Sequence, residues 1–493
     1  MTSAVFRCDA SPAIGSGHVV RCSALAQALA ARGWNCRIVA LPGTCAAVAG
    51  FVSSTIEVIE TEAADDPATV AKMLPKPCEL LVIDSYRLGR AYEDALGPSV
   101  RRRLVIEDLP NRPHHSELLL DQTLGRTPDE YGDLVPPNTK LLLGADYALV
   151  RPAFATVRRK AVERHLKAEP LATLLVALGG APTPELLERV LAGVQESGLP
   201  LRVHVVGPLA RHAMSGRAAR VIAHGRGADM PGLMAECDVA LGAGGGSAWE
   251  RCCLGVPSLI VQVADNQRDV AASLAAAGAA IDLGPVSRLG PADIAQALRA
   301  LACDPARRGA MADCAARLCD GLGVRRVCGV LAPRLSGDGR PVTLRPVAQD
   351  DARLLFEWQL IPEVRRYAND PRPPTWEGHL AWFRRRIGDA LAGPFSVIML
   401  GGRAVGVLRL DSAIPERLGP NSNPEREAFL VSILVDPHCQ GRGVAAAALA
   451  AGRDLLPQAV LFAEVLEGNE PSHRLFSNAG YRRTRPSLYV LNS

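Results

Sequence analysis

The chain has 493 residues, too many for one hydrophobic core, and this length suggests three compact domains. The 55 Lys and Arg residues nearly balance the 51 Asp and Glu residues, so the net charge of +4 gives no electrostatic reason to expect a nucleic-acid partner. Hydrophobic residues make up 48% of the chain and aromatic residues only 4%, which argues against disorder and against stacking platforms for single strands.

Location and redox state are predicted from the same composition. No apolar run approaches the roughly 18 residues that a membrane-spanning helix needs, and Arg7 and Asp9 lie where a secretory signal would be apolar. We therefore expect a cytoplasmic protein with no membrane partner. The thirteen cysteines are scattered without a CxxC pair, which is typical of free thiols in a reducing compartment. Neither a disulfide framework nor a metal site is predicted.

Residues 1–330 alternate short Val/Ile/Leu runs with Ala/Leu-rich stretches of helical period, a pattern typical of buried parallel strands joined by helices. The series restarts at residues 171–180, so two doubly wound halves are predicted, and the charged segment 151–170 is expected to be a connecting helix rather than core. A Pro/Gly/Ser cluster near Pro333 has the composition of a linker. The predicted domains are two Rossmann-like domains, 1–155 and 156–335, and an α+β domain, 341–493.

The first candidate site is the turn after the first strand, FRCDASPAIGSGHVV, which contains Gly15 and Gly17. Glycines let a ligand approach the backbone, and the free N–H groups of a new helix attract anions. His18 is expected in the first helical turn, where the helix dipole favours a neutral imidazole that can activate water. Capping or packing is the alternative role for His18. Arg21 is either a phosphate contact or part of the solvated face.

Polar residues also follow two further predicted strands. Asp84 and Tyr86 come after LLVI, and Glu107 and Asp108 come after RLVI. Carboxylates at the carboxyl ends of parallel strands bind substrate or cap the next helix. Capping is the favoured interpretation for each carboxylate taken alone, and substrate binding by Asp84 is the functional alternative.

A second glycine-rich turn, GAGGGSAWE, places Gly245 and Gly246 before Ser247 and a helix. Its N–H groups can cradle a diphosphate. The turn lacks the Lys-Ser/Thr of a Walker loop and the spacing of the nicotinamide fingerprint. Glu250, one turn into the helix, is placed to accept from ribose hydroxyls, so a nucleotide-sugar site is favoured. The alternative is that Glu250 only stabilises the helix dipole.

Six blocks of residues 1 to about 330, in the same order, resemble the UDP-sugar hydrolase family of pseudaminic acid biosynthesis. They are RCDASPAIGSGHVVRCSALA, VIDSY, IEDLPNRPHHSELLLDQTLG, LLLGADYALVRPAF, LLVALGGA and GAGGGSAWERCCLGVPSLIVQVADNQ. The resemblance implies a GT-B-like pair of Rossmann-like domains. It also implies that water displaces UDP, with inversion and without a metal, from UDP-2,4-diacetamido-2,4,6-trideoxy-β-L-altropyranose.

The resemblance implies that His18 activates the water and that Tyr86 supports it. Ser85 stands where many relatives have histidine, so this chain departs from the family there. The implied substrate contacts are Glu250 to the ribose, Gly245, Gly246 and Ser247 to the diphosphate, and Asn266 and Gln267 to the sugar. The alternative for the two amides is an ordinary loop position.

In the third domain, a strong strand, AFLVSILV, is followed by a glycine-punctuated turn and an Ala-rich helix. The N–H groups of this turn can bind a pyrophosphate. Together with VTLRPVAQDDARLLFEWQ and AEVLEGNEPSHRLFSNAGY, the turn resembles the acetyl-CoA loop of GNAT N-acetyltransferases over about residues 342–490. A loop before a surface helix is the alternative. The residues expected to bind acetyl-CoA, a co-substrate, are Gln440, Gly441, Arg442, Gly443, Val444 and Ala445.

The GNAT resemblance implies a glutamate or a bound water as base, and often a tyrosine acid shortly after an asparagine. Asn469 is present and is predicted to be catalytic, but Phe476 occupies the usual tyrosine position. Glu427, at the start of the strand before the loop, is the predicted base. Three aromatic residues are expected either to line the acceptor pocket or to pack their helix: Trp376, His379 and Trp382.

The two resemblances together predict a bifunctional enzyme. The C-terminal domain would acetylate the 4-amino group of a UDP-linked amino sugar, and the N-terminal part would then release UDP from the product. Two alternatives stay open. One is a UDP-sugar glycosyltransferase fused to an acetyltransferase, and the other is a protein N-acetyltransferase with a nucleotide-sugar sensing module.

Overall fold

The computed structural model describes residues 2–11, 14–48, 55–179, 183–207, 219–225, 227–368, 370–413 and 426–491. The chain divides into two compact units, Met1–Val324 and Arg325–Ser493. In the part of the chain that is described, no helix combines the length and the apolar character needed to cross a membrane. The cysteines are free thiols, and the described residues contain no group of three His, Cys, Asp or Glu side chains arranged to hold a metal ion.

The first half of the N-terminal unit is a seven-stranded parallel sheet. Its strands are β1 Ser3–Cys8, β2 Asn35–Ala40, β3 Glu57–Glu60, β4 Cys78–Asp84, β5 Val100–Ile106, β6 Leu118–Asp121 and β7 Lys140–Leu143, in the order β3-β2-β1-β4-β5-β6-β7. The helices are α1 Gly17–Ala30, α2 Thr44–Ala47, α3 Pro67–Met73 and α4 Arg90–Leu96. All the strands run in one direction, so their carboxyl ends form one edge of the sheet.

The second half is a six-stranded parallel sheet. Its strands are β8 Thr173–Ala177, β9 Arg202–Val206, β10 Arg220–His224, β11 Val239–Ala243, β12 Ser258–Gln262 and β13 Ala280–Pro285, in the order β10-β9-β8-β11-β12-β13. The helices are α5 Pro152–Lys167, α6 Pro184–Glu196, α7 Met230–Glu236, α8 Ser247–Cys253, α9 Arg268–Ala276, α10 Pro291–Cys303, α11 Pro305–Leu318 and α12 Gly323–Leu331. Both sheets therefore have the doubly wound, Rossmann-type order that the sequence predicts.

Helix α5 corrects one expectation. The charged segment is helical, as predicted, but one face of it is part of the core. Phe154 and Val162 are fully buried, and the buried Arg158 donates to the carbonyl groups of Ala316 and Cys319 at 2.8 and 2.9 Å. The many charged residues of this segment suggested that the whole helix is exposed. Arg158 can nevertheless be buried because its guanidinium donates hydrogen bonds to backbone oxygens.

The C-terminal unit is built on an eight-stranded mixed sheet. Its strands are β14 Arg334–Leu335, β15 Pro341–Pro346, β16 Phe395–Leu400, β17 Arg403–Ala413, β18 Ala428–Val435, β19 Val460–Glu464, β20 Arg482–Arg485 and β21 Leu488–Leu491, in the order β14-β15-β16-β17-β18-β19-β21-β20. The helices are α13 Asp351–Leu360, α14 Pro362–Arg365, α15 Trp376–Gly388, α16 Val444–Leu455 and α17 Glu470–Asn478. The predicted linker is a hairpin here, because Arg334 and Leu335 pair with Val342 and Pro341.

The two central strands of this sheet pair over only part of their length. Ala428–Leu430 of β18 pair in parallel with Val460–Phe462 of β19, and no later pair joins the two described strands. One face packs against α16 and α17, and the other against α13 and α15. The strands therefore open beyond Leu430, and the opening leads towards the loop before α16. The domain boundaries 1–155, 156–335 and 341–493 stay predictions.

Candidate functional sites

His18 and Asp84 meet at the carboxyl ends of two neighbouring strands. Cys8, the last residue of β1, is in register with Asp84, the last residue of β4, and α1 carries His18 in its first turn. His18 Nδ1 lies 2.5 Å from Asp84 Oδ1. Nε2 has no hydrogen-bond partner among the residues that the structure describes. A carboxylate on one nitrogen orients the imidazole and leaves the other nitrogen as a proton acceptor.

Arg21 holds the Asp84 carboxylate in place. Its Nε and one terminal nitrogen each donate to Asp84 at 2.6 Å, and the other terminal nitrogen donates to Asp108 at 3.3 Å. Burial by itself would raise the pKa of Asp84, but the charge of Arg21 and the hydrogen bonds to Arg21 and His18 hold that pKa well below its usual range. The phosphate contact predicted for Arg21 does not fit this geometry, because two carboxylates already occupy the guanidinium.

Tyr86 joins this cluster to the second sheet. Its ring meets the His18 ring edge-on, with the centroids 4.8 Å apart. Its hydroxyl donates to Asp108 Oδ2 at 2.9 Å and accepts from Asn266 Nδ2 at 2.7 Å. Burial and the charge of Asp108 raise the pKa of Tyr86 well above its usual range, and burial also raises the pKa of Asp108. The phenol therefore stays protonated beside the imidazole.

The turn before α1 is closed by its own backbone. Ser11 and Gly15 exchange hydrogen bonds of 2.8 and 3.3 Å. Gly15 has a φ of +76°, a left-handed conformation that favours glycine. Gly17 is the exposed first residue of α1. Contacts between these glycines and a ligand stay a prediction.

The second glycine-rich turn lies between β11 and α8, and Gln267 holds it. Gln267 Oε1 accepts from the N–H groups of Gly244 and Val263 at 3.2 and 3.1 Å. The amide oxygen expected to face a sugar therefore ties the turn to the end of β12. This position of Gln267 favours a supporting role over the sugar contact that the resemblance implies.

The turn ends at the start of α8, as the sequence predicts. Gly245 is half-buried, Gly246 is exposed, and Ser247 is the first residue of the helix. Ser247 Oγ accepts from Arg251 at 3.2 Å, and Arg251 also donates to the carbonyl of Ala243 at 2.8 Å. The buried guanidinium therefore fixes both ends of the turn. A diphosphate contact at this turn stays a prediction.

Glu250 lies on α8 with 9% of its surface exposed, and Oε1 accepts from Arg151 Nε at 2.9 Å. Burial raises the pKa of Glu250, and the charge of Arg151 offsets part of that rise. Oε2 has no hydrogen-bond partner within the described part of the chain. Arg151 therefore orients the carboxylate and leaves one oxygen for a ligand hydroxyl.

The C-terminal unit holds a cavity of about 870 Å³. It follows the opening between β18 and β19, from the loop before α16 to helices α13 and α14. Five of the six residues predicted to bind acetyl-CoA line it: Gln440, Gly441, Gly443, Val444 and Ala445. Arg442 is not among the lining residues, and its carbonyl accepts from Gly337 at 2.8 Å.

The loop before α16 presents a row of free donors. The N–H groups from Gly441 to Ala446 have no acceptor among the described residues. Gly443 has a φ of +74°, and a Cβ there would lie 2.7 Å from the backbone nitrogen of Gly337. Only glycine fits at this position, where the loop lies directly against the backbone of Gly337. A pyrophosphate fits this donor set.

The acceptor side of the cavity is aromatic. His379 and Trp382 line it, whereas Trp376 does not and instead packs against the Phe356 ring. His379 Nε2 donates to the Ala352 carbonyl at 3.0 Å, and burial lowers the pKa of this histidine. The cavity-lining prediction therefore fits His379 and Trp382, and the packing alternative fits Trp376.

Glu427 does not reach this cavity. It is exposed, precedes Ala428 at the start of β18, and is not among the lining residues. The first lining residue of β18 is Val431, and four residues of strand span roughly 13 Å. The position of Glu427 therefore argues against the base role that the sequence predicts.

Asn469 and Phe476 flank the other wall. Both line the cavity, but Asn469 Oδ1 accepts from the Ser472 N–H at 3.2 Å and caps α17. Phe476 is 4% exposed and carries no proton to give. The geometry favours a structural role for Asn469 over the predicted catalytic one.

Comparison with known proteins now identifies the C-terminal part. Residues 342–482 match the acetyltransferase (GNAT) domain family. The C-terminal unit carries a GNAT acetyltransferase domain. This domain type implies acetyl-CoA as the acetyl donor, and the free donors before α16 fit that molecule.

The N-terminal part has a GT-B-like fold. MurG from Acinetobacter baumannii superposes with a TM-score of 0.51 and 15% identity, over 67% of this chain and 99% of that one. Such low identity shows the fold alone. The spore coat polysaccharide biosynthesis protein SpsG from Bacillus subtilis (strain 168) is 33% identical over 169 residues, which are 31% of this chain. The match spans 48% of that protein's length.

Three residues that the sequence reasoning missed now stand out. Arg151 pairs with Glu250, and Arg409 and Glu464 line the acetyltransferase cavity. Arg409 lies in the apolar alternation AVGVLRL and Glu464 ends the apolar run VLFAE. A charged residue that interrupts or ends such a strand was the available signal. Arg151 gave no comparable signal, because its segment is charged throughout.

Proposed function

We propose that the chain performs two consecutive steps on a UDP-linked amino sugar. The C-terminal unit acetylates the 4-amino group of the precursor. The N-terminal unit hydrolyses the product, UDP-2,4-diacetamido-2,4,6-trideoxy-β-L-altropyranose, to UDP and the free sugar. The observation that carries the hydrolytic half is the 2.5 Å contact between His18 Nδ1 and Asp84 Oδ1, with Nε2 left open.

In the hydrolytic step, Nε2 of His18 removes a proton from water, and the water oxygen attacks the anomeric carbon. The bond from that carbon to the diphosphate oxygen breaks, so UDP leaves with the bonding pair and the configuration inverts. Asp84 stabilises the imidazolium that forms, and Arg21 keeps Asp84 ionised and oriented. A positioned general base supplies typically 10²- to 10⁴-fold in rate.

The second sheet would bind the nucleotide. The turn at Gly245, Gly246 and Ser247 offers donors to the diphosphate, and the unpaired oxygen of Glu250 accepts from the ribose. Asn266 lies within hydrogen-bond distance of Tyr86, so it is placed near the reacting end of a ligand that spans both sheets. The GT-B-like fold and the similarity to a polysaccharide biosynthesis protein support a sugar-nucleotide substrate.

The direct experiment omits every acceptor except water. The chain is incubated with the UDP-sugar, and UDP and free sugar are measured together. We expect both products in equal amounts and at a catalytic rate. We expect His18→Asn to lower the rate at least 100-fold. His115→Asn changes an exposed histidine whose ring pairs with Asp94, and serves as the matched control.

A second candidate is a glycosyltransferase, because a GT-B-like fold can place a sugar or lipid acceptor where the hydrolase would place water. Catalytic UDP release only when a sugar or lipid acceptor is added would favour that candidate. UDP release that His18→Asn leaves unchanged would reject the catalytic role of this imidazole altogether. It would favour a unit that binds the nucleotide sugar without reacting with it.

A further inference from the structure

Three polar side chains form a row across β17, β18 and β19. Arg409 is the register partner of Ser432, and its terminal nitrogen donates to Ser432 Oγ at 3.3 Å. Leu430 is the register partner of Phe462, so Glu464 and Ser432, each two residues further on, point to the same face of the sheet. All three polar residues line the cavity. We call this set the splay row.

The splay row lies where the two central strands have parted. The last pair between β18 and β19 ends at Leu430 and Phe462, one alternation before Ser432 and Glu464. On the same face, the Arg409 guanidinium lies 5.3 Å from the Trp382 ring centroid. The splay row and the Trp382 ring therefore line the gap between β18 and β19 together. Residues of the loop before α16 line the same cavity.

Glu464 differs from Arg409, the other charged group of the splay row. Glu464 lies in the gap between the strands, whereas the lining residues Glu363 and Arg366 lie on or directly after α14. Arg409 Nε is 2.7 Å from Asp411 Oδ2, so its charge is compensated within the sheet. Glu464 is exposed to the cavity and has no hydrogen-bond or ion-pair partner among the residues that the structure describes. The other described carboxylate lining the cavity, Glu363, lies on α14 and outside the gap between the strands.

We infer that Glu464 binds the ammonium group of the acetyl acceptor and takes its proton. The inference rests on the proposed acetyltransferase function and names the residue that recognises the amine. The ammonium gives one proton to the Glu464 carboxylate, which passes it to solvent. The free amine then forms a bond to the thioester carbonyl carbon as the carbon–sulfur bond breaks. The second proton lost by nitrogen ends on the sulfur, so the products are an amide and a thiol.

The charge of Glu464 predicts a binding preference that needs no acetyl donor to observe. A carboxylate attracts the cationic amine and gains nothing from the neutral acetamide product. Calorimetry without acetyl-CoA would compare the UDP-linked altrosamine that carries a free 4-amino group with its N-acetylated form. We expect Glu464→Gln to weaken binding of the amine about tenfold and binding of the product less than twofold.

The kinetic test uses three variants of the full chain. We expect Glu464→Gln to lower kcat/KM for acetyl transfer about 100-fold at neutral pH, in the range of a lost general base. The loss should shrink as the pH rises, because more of the amine is then already free. Glu464→Asp should recover part of the rate. Glu467→Gln, an exposed glutamate outside the cavity lining, is the control and should match the unmodified chain.

The outcomes separate this inference from the proposed function. If the unmodified chain acetylates the amine and Glu464→Gln does so at the same rate with the same amine affinity, the role of Glu464 is wrong and the acetyltransferase function stands. If the unmodified chain acetylates no UDP-linked amino sugar, the proposed function itself fails. A rate loss that is constant across pH, with unchanged amine affinity, would also overturn the inference, because it would indicate a purely structural effect.

Discussion

Asn266 Nδ2 donates to the Tyr86 hydroxyl at 2.7 Å across 180 positions of the chain. This hydrogen bond joins the loop after β12 to the loop after β4, and therefore links the carboxyl edges of the two parallel sheets. The Tyr86 hydroxyl donates its one proton to Asp108, so it can only accept the hydrogen bond from Asn266. Two sequence motifs with separate predicted roles thus act as one unit.

The first prediction concerns this pair. We expect Asn266→Ala to lower kcat/KM for UDP release about tenfold, in keeping with the loss of a buried hydrogen bond worth about 1.4 kcal/mol, and Tyr86→Phe to lower it at least as much. Because both changes break the same contact and only Tyr86→Phe also removes the bond to Asp108, the double variant should lose little more than Tyr86→Phe alone. Tyr92→Phe, which removes the 3.1 Å bond from another buried tyrosine hydroxyl to the Ala64 carbonyl, is the control. Fully additive losses would show that the two side chains act separately.

The second prediction concerns Glu250. We expect Glu250→Ala to raise KM for the UDP-sugar about tenfold and to change kcat less than threefold, because a ribose contact is remote from the breaking bond and contributes to ground state and transition state alike. Steady-state kinetics measure both constants. Arg151→Ala should give a smaller rise in KM, since it frees the carboxylate without removing it. An unchanged KM with a collapsed kcat would contradict the assignment.

The third prediction uses a buried histidine. Both ring nitrogens of His114 face carboxylates, Glu93 at 2.6 Å and Glu107 at 3.2 Å, and Arg112 lies 2.6 Å from Glu107. Burial by itself would lower the pKa of His114, but the two carboxylates raise it above 6.5. Protonated His114 therefore stabilises the folded state. This contribution is complete below pH 6.5 and is lost as the pH rises through the pKa of His114 in the folded protein.

Hydrogen exchange of the β5 amides, corrected for its intrinsic pH dependence, measures this effect within the N-terminal unit. Protection should fall from pH 6.5 towards pH 9, and His114→Gln should be less protected at pH 6 with a flatter profile. Equal slopes in the two proteins would show that another group causes the pH dependence.

The fourth prediction concerns the acetyl-CoA loop. Ala446 is exposed in the first turn of α16 and lines the cavity. We expect Ala446→Glu to weaken acetyl-CoA binding at least tenfold, because its carboxylate would repel the pyrophosphate. The helix should stay intact, since acidic residues stabilise the first turn. Ala450→Glu, later on α16 and outside the cavity lining, is the calorimetric control. Equal affinities would mean that the pyrophosphate binds elsewhere.

The features predicted best from the sequence are those that depend on residues close together along the chain. The strand-turn-helix units around His18, Gly245 and Gly443 are where the patterns place them, because turn chemistry and periodicity are local properties. The doubly wound order of both sheets and the GNAT domain were likewise predictable. The hairpin at Arg334 was missed, because a short edge strand with Pro and Gly has the composition of a linker.

The sequence did not show which residues, far apart along the chain, contact one another. Arg21 was interpreted as a phosphate contact or a solvated residue, yet it binds Asp84 across 63 positions of the chain. Glu427 was the predicted base and Glu464 was missed, because only the register of β18 against β19 shows which of the two reaches the opening. Such choices depend on strand order and side-chain direction, which no short segment specifies.

The contact between Gly337 and the loop before α16 sets the minimum size of an autonomous acetyltransferase. A fragment that begins at Val342, the first residue matched by the family, would lack Gly337, whose N–H donates to Arg442 at 2.8 Å. It would also lack Arg334, which donates to Asp454 on α16 at 2.7 and 2.9 Å. The ten residues or so before the family boundary therefore hold the loop before α16 and the end of that helix, and a fragment that keeps these contacts should begin upstream of Arg334.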